Sequence, residues 1–164
     1  MGAKLRWCAA AGIPGSQVAV LAAGNRMRGD DAFGPEVAAR LSGEFPERVF
    51  DGGQAPENEL PRVARLDPRL VVFVDAVDFG GEGGDLAVLD PEGLRSGGFD
   101  THTASLSLSA EFLREASGAR VALLAVQPVS LELEAPLSAA VEAAVEAAAD
   151  ALRELLGGPG GAGG

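Results

Sequence analysis

The chain has 164 residues, which fits one domain that buries roughly 70% of its unfolded surface without covalent staples. Its 47% hydrophobic and 23% charged residues are those of an ordinary globular protein, and a net charge of −11 argues against nucleic acid or anionic membranes as partners. A single cysteine, Cys8, rules out an internal disulfide and a thiolate zinc cage, and no apolar run approaches the roughly 18 residues of a membrane helix.

Taken in order, residues 1–16 read as a flexible N-terminal extension, because the apolar stretch around Cys8 is short and broken by Gly12, Pro14 and Gly15. The pattern then alternates strand and helix. Val18 to Ala23 is a buried strand. Pro35 suits the first turn of a helix running to about Ser42. Arg48 to Phe50 is a short strand, and Glu59 to Leu66 a helix that tolerates Pro61 in its first turn. Leu70 to Val74 is a wholly apolar strand, as in a sheet covered on both faces. After the turn at Gly80–Gly84, Asp85 to Leu89 is a strand whose helix-free connection suits an antiparallel neighbour. Asp90 to Thr103 reads as loop, Ser105 to Ala116 as helix and Arg120 to Val126 as the last strand. Ser138 to Leu156 is an amphipathic helix, with Leu137, Val141, Val145, Ala148 and Leu152 on one side and Glu142, Glu146, Asp150 and Arg153 on the other. The expected domain is therefore 17–156, a three-layer α/β/α unit, followed by a disordered glycine-rich tail, 157–164.

Three segments carry candidate chemistry. Gly24 to Val37 leaves the first strand through a glycine-bracketed turn holding Asp30 and Asp31. Open α/β sheets keep their sites at such strand ends. Asp31 could cap the following helix, but two adjacent carboxylates exceed what capping needs. Asp30 suits the structural role and Asp31 that of ligand. Asp75 ends the fully apolar strand, with Asp78 as a nearby alternative, and His102 is the only imidazole. Two carboxylates and one imidazole suit Ni²⁺, Zn²⁺, Fe²⁺ or Mn²⁺, and three ligands leave a coordination sphere open. There is no Gly-x-Gly-x-x-Gly loop, phosphate-binding loop or Gly-x-Ser-x-Gly elbow, and Cys8 is poorly placed as a nucleophile.

These motifs, in this order, resemble the hydrogenase maturation endopeptidases, which trim the C-terminus of the [NiFe]-hydrogenase large-subunit precursor. The likeness runs from about Val18 to Leu156. It rests on Gly24-Asn25, Met27, Gly29-Asp30-Asp31 and Gly34-Pro35, then on Val74-Asp75-Ala76 with Asp78, Thr101-His102 and Gln127-Pro128. The segment Asp51 to Asn58 is similar to that of the hydrogenase 3, or formate-hydrogenlyase, branch. Two departures stand out. Ala32 replaces the usual glycine after the aspartate pair, and Thr103-Ala104-Ser105-Leu106 replaces an Asn-x-Pro-Leu-like stretch.

The resemblance implies a twisted five-stranded, mostly parallel sheet of phosphorylase/hydrolase-like type between helices. It implies that Asp31, Asp75 and His102 contact nickel already installed in the precursor. Nickel is then a recognition signal supplied by the substrate, and no permanently bound cofactor is expected, although another divalent ion can occupy the site in vitro. Asp31 and Asp75 are expected to orient or activate water, as in aspartic-type endopeptidase chemistry. Asn25, Arg28 and Asp30 are expected to contact substrate. Arg26 and Arg28 would hold Asp31 ionised, meet an acidic substrate surface, or simply be solvated. The expected partner is the precursor, in the cytoplasm, with no nucleic acid and no membrane insertion. The rival readings are a non-proteolytic nickel- or precursor-binding module and a small-molecule metallohydrolase that keeps its own metal.

Overall fold

The computed structural model describes residues 12–96 and 101–157, excluding the side chains of 94–96 and 101–104. The strands are β1 (Val18–Ala22), β2 (Val49–Asp51), β3 (Leu70–Ala76), β4 (Leu86–Leu89) and β5 (Arg120–Val126). The helices are α1 (Phe33–Leu41), α2 (Leu60–Arg65), α3 (Thr101–Ser117) and α4 (Ala139–Gly157). The five strands form one sheet in the order β2-β1-β3-β5-β4. Every pairing is parallel except β4 with β5, so the helix-free connection does produce an antiparallel edge strand.

Strand alternation distributes two cores. Val18, Val20, Val72, Val74 and Leu124 project into a core shared with Val37 and Leu41 of α1 and with Val141, Val145 and Leu152 of α4. Ala19, Leu21, Val71, Phe73 and Leu123 project the other way, onto Val63 of α2 and Leu106, Ala110 and Leu113 of α3. Both faces of the sheet are covered, which is why β3 is apolar except for Asp75 and buried at every position. Across the α1–α4 seam, Arg40 pairs with Glu146, and Arg153 pairs with Glu44 at 2.7 Å.

Two boundaries differ from the sequence expectation. Ile13, assigned above to the N-terminal extension, is buried in the α1/α4 core. The loop expected through Thr103 ends earlier: α3 begins at Thr101, so His102 lies on its first turn rather than in a loop. Thr and Ser are weak helix formers in mid-helix but suit an opening turn, and the apolar period starting at Leu106 shows only the later part. Cys8 and residues 158–164 lie outside the described residues.

Candidate active site

The strand order makes a topological switch point. The connection from β1 through α1 leads outward to β2, whereas that from β2 through α2 returns across β1 to β3. The helices of these two connections cover opposite faces, and the chains part between the carboxyl ends of β1 and β3, where ligands of open α/β sheets bind. Asp31 follows β1 and Asp75 closes β3, so each flanking strand delivers one carboxylate to this crevice. Asp75 shares the parity of Val71 and Phe73, which places it on the face covered by α2 and α3. The antiparallel run of α3 against β5 also brings the turn bearing His102 to the carboxyl edge of the sheet. The His102 side chain lies outside those described.

Glycine makes the crevice narrow. A Cβ on Gly34 would stand 2.2 Å from the Ala23 carbonyl oxygen and 2.6 Å from that of Val74. Only a residue without a side chain lets the first turn of α1 sit this close to both strand ends. Gly24, at φ +150°, faces the backbone of Asp31, where a Cβ would meet the carbonyl oxygen at 2.0 Å. The glycine replaced by Ala32 is not missed: Ala32 sits at φ −74°, ψ −5°, an ordinary right-handed conformation.

The turn from Asn25 to Asp31 closes on itself. The Asn25 N–H donates to the Asp31 carboxylate at 3.0 Å and to its carbonyl at 3.1 Å. The Asn25 side-chain oxygen accepts the Met27 N–H at 2.9 Å. Asn25, expected to touch substrate, thus commits that oxygen to shaping the turn. Asp31 is half-buried, and the position that caps α1 is Ala32. Asp75 is fully buried, with one carboxylate oxygen accepting the Ala76 N–H at 2.8 Å.

Asp30 takes the structural role that the residue pair suggested, not the substrate contact that the resemblance implied. It is 0% exposed and its carboxylate is filled from within. One oxygen accepts the Ser138 N–H at 2.7 Å. The other accepts the N–H groups of Val129 and Ser130 at 2.8 and 3.1 Å and the Ser138 hydroxyl at 3.0 Å. The Asp30 N–H in turn donates to the Ser130 carbonyl at 2.9 Å. Asp30 therefore fastens the turn after β1 to the loop after β5, leaving Asp31 to face the crevice. The arginines divide likewise. Arg26 pairs with Glu36 and reaches Asp51 at 3.9 Å, whereas Arg28 is exposed.

A second clamp was not foreseen. Gln127, buried just past β5, accepts the N–H groups of Phe79 and Gly81 at 2.9 and 3.1 Å. Its amide nitrogen donates to Asp78 at 3.0 Å. This bond, and then the Gly80 N–H, hold the Asp78 carboxyl below the usual carboxylate range. Asp78 therefore anchors the loop that follows Asp75. Its one foreshadowing in the sequence is the Gln127-Pro128 pair at a strand end. Among the described residues, no three His, Cys, Asp or Glu side chains stand together as a metal-holding group.

Comparison with known proteins places this arrangement. Residues 35–154 match the family model of hydrogenase maturation proteases. The chain belongs to this family. It is 34% identical to the hydrogenase 3 maturation protease of Escherichia coli strain K12 over 112 residues, 66% of this chain and 71% of that protein. The crystal structure of the [NiFe] hydrogenase maturation protease HycI from Thermococcus kodakarensis KOD1 superposes with a TM-score of 0.79 at 34% identity, covering 87% of this chain and 94% of the other. The solution structure of the endopeptidase HycI from E. coli gives 0.73 at 31% identity, with 88% and 94% covered. The family match includes Asp75 and His102 and starts just beyond Asp31. The structural likeness of this maturation protease to its relatives is much broader.

Proposed function

We propose that this maturation protease removes the C-terminal extension of a [NiFe]-hydrogenase large-subunit precursor after nickel has been inserted. The observation that carries the reading is the pair Asp31 and Asp75, delivered by adjacent strands to the switch point of a hydrogenase maturation protease fold. Nickel belongs to the substrate here. Asp31 and Asp75 supply oxygen donors, and His102, on the first turn of α3 at the same sheet edge, supplies nitrogen. This mixed set matches a borderline divalent ion while leaving positions for the precursor's own ligands. A weak, open set of this kind reads the metal without removing it.

In hydrolysis the carboxylates hold and orient water against the scissile carbonyl. Water attacks the carbon, a carboxylate receives its proton, and that proton passes to the leaving amine as the C–N bond breaks. Asn25 and Gly24 keep Asp31 in place for this role. Arg28, exposed on the same turn, meets the substrate surface. The reading places the reaction in the cytoplasm, and no helix among the described residues is long and apolar enough to cross a membrane.

The test is the intact mass of nickel-loaded precursor, with and without the protein. Nickel-free precursor and the variants Asp31→Asn and His102→Ala run beside it. Loss of a discrete C-terminal peptide only with nickel, slowed roughly a hundredfold or more by Asp31→Asn, is the expected result. Full activity of Asp31→Asn would remove that residue from the chemistry. Cleavage without nickel would overturn the recognition role, and binding without cleavage would favour the non-proteolytic module.

A further inference from the structure

Beside the crevice, four apolar side chains face solvent: Met27, Val129, Leu131 and Leu133 are 57%, 59%, 43% and 66% exposed. Met27 lies on the closed turn that carries Asp31, and the other three lie on the loop between β5 and α4. A floppy loop exposing apolar groups would mean little. Here the backbone is held from below. Val129 and Ser130 donate to Asp30, and the Glu134 N–H donates to the Met27 carbonyl at 2.6 Å. The Glu132 N–H donates to the Ser130 hydroxyl at 3.2 Å, and the Ala135 N–H to the Glu132 carbonyl at 3.2 Å. The polar backbone thus turns inward while the side chains best suited to burial turn outward. That is a preorganised arrangement of apolar anchors, which binds with little ordering cost.

We infer that this patch is the docking surface for an apolar surface of the metal-loaded large-subunit precursor, directly beside the bond to be cut. The inference rests on the processing function proposed above. Its occupant follows from continuity. Met27 and Asp31 belong to one turn of seven residues closed by the Asn25–Asp31 bond, so a substrate seated on Asp31 lies against Met27 and the loop fastened to it. The loop after β2, whose Gly53 carbonyl accepts the Gly24 N–H at 2.9 Å, offers exposed Gln54, Glu57 and Asn58 instead, so the apolar contact beside the Asp31 turn comes from Met27 and the loop after β5. A second exposed apolar pair, Leu108 and Phe112 on α3, is not joined to the Asp31 turn and serves as the control.

The experiment compares the full-length protein with Val129→Ser/Leu133→Ser and with Phe112→Ser. It measures the affinity for nickel-loaded precursor, kcat and KM for cleavage, the thermal midpoint and the solution mass. The loop double variant is expected to weaken binding and raise KM about tenfold or more, with kcat and the thermal midpoint nearly unchanged, because the side chains are already exposed. Phe112→Ser should change neither. Unchanged affinity in the loop variant overturns the inference, as does an equal loss in Phe112→Ser. So does a wild-type dimer that the loop variant dissolves without altering affinity, since the patch would then serve self-association. If the wild type binds but does not cleave, the protease reading fails while the affinity comparison still decides the patch. If the wild type does not bind, both fail.

Discussion

The two ends of the same sheet are built on different terms. At the amino end the connections into the strands are short, and they are closed by backbone bonds and by the Arg48 guanidinium. The Arg69 N–H reaches the Gln17 carbonyl at 2.9 Å, and the Arg120 N–H reaches the Arg69 carbonyl at 2.9 Å. The Arg48 guanidinium donates to the carbonyls of Gly15 and Leu156 and lies 5.1 Å from the Phe45 ring centre. At the carboxyl end the loops are longer, glycines bring backbones into contact, and two aspartates are wholly buried. The amino end is built for closure alone. The carboxyl end fixes polar groups in a dry setting, where each is costly unless paired, and leaves Met27, Val129, Leu131 and Leu133 exposed beside them.

The sharpest way to break this contrast is Asp30→Ala. It leaves the N–H groups of Val129, Ser130 and Ser138 without their acceptor. The expected cost is about 3–5 kcal/mol of unfolding free energy, with loss of cleavage. A denaturant titration showing less than about 1 kcal/mol would mean that the loop is held by something else. Gly34→Ala comes next. Its Cβ would press on the Ala23 and Val74 carbonyls, so α1 must shift, at about 1–3 kcal/mol, and cleavage should fall with stability. Arg48→Met probes the other end. It removes the bonds to Gly15 and Leu156, and should cost about 1–2 kcal/mol while leaving kcat and KM untouched. A change in kcat there would erase the proposed division.

The smallest effect is one of pH. The ionised Asp78 carboxyl is favoured in the fold by the Gln127 bond and then by the Gly80 N–H. Its contribution is therefore present above the ordinary carboxylate range and is lost as the pH falls through the lowered folded value. The difference in urea midpoint between the wild type and Asp78→Asn should be largest near neutrality and vanish in acid. Asp78 is exposed, so the effect will be slight, and a difference that grew in acid would contradict the clamp.

What was legible in the sequence follows a physical line. The sequence pattern marked all five strands to within two residues, most plainly β1, β3 and β5, where burial on both faces leaves little freedom of composition. The absence of a helix before Asp85 announced the antiparallel β4. The pair Asp30–Asp31 was conspicuous and a structural role for Asp30 could be read from it, but its partners could not, because the groups that occupy Asp30 are mostly backbone amides far along the chain. Backbone amides exist at almost every residue and leave no mark in composition or spacing. Gln127 was visible as a motif and silent as to purpose, since its partners are the backbone of Phe79 and Gly81 and the exposed Asp78. Arg26 misled for a related reason: proximity in sequence suggested Asp31, whereas the fold offered Glu36 and Asp51.

The Asp30 staple also orders events in time. Its donors lie 99, 100 and 108 residues downstream. A nascent chain that extends only through β5 contains both crevice carboxylates but none of the groups that bond to the Asp30 carboxylate. Such contacts close slowly, because a long loop of chain must be ordered before they form. The carboxyl edge of the sheet is thus among the last parts of the molecule to set. Nascent chains and truncated fragments ending before Ser138 should be proteolytically silent, and competence should arrive in one step, with the docking of α4.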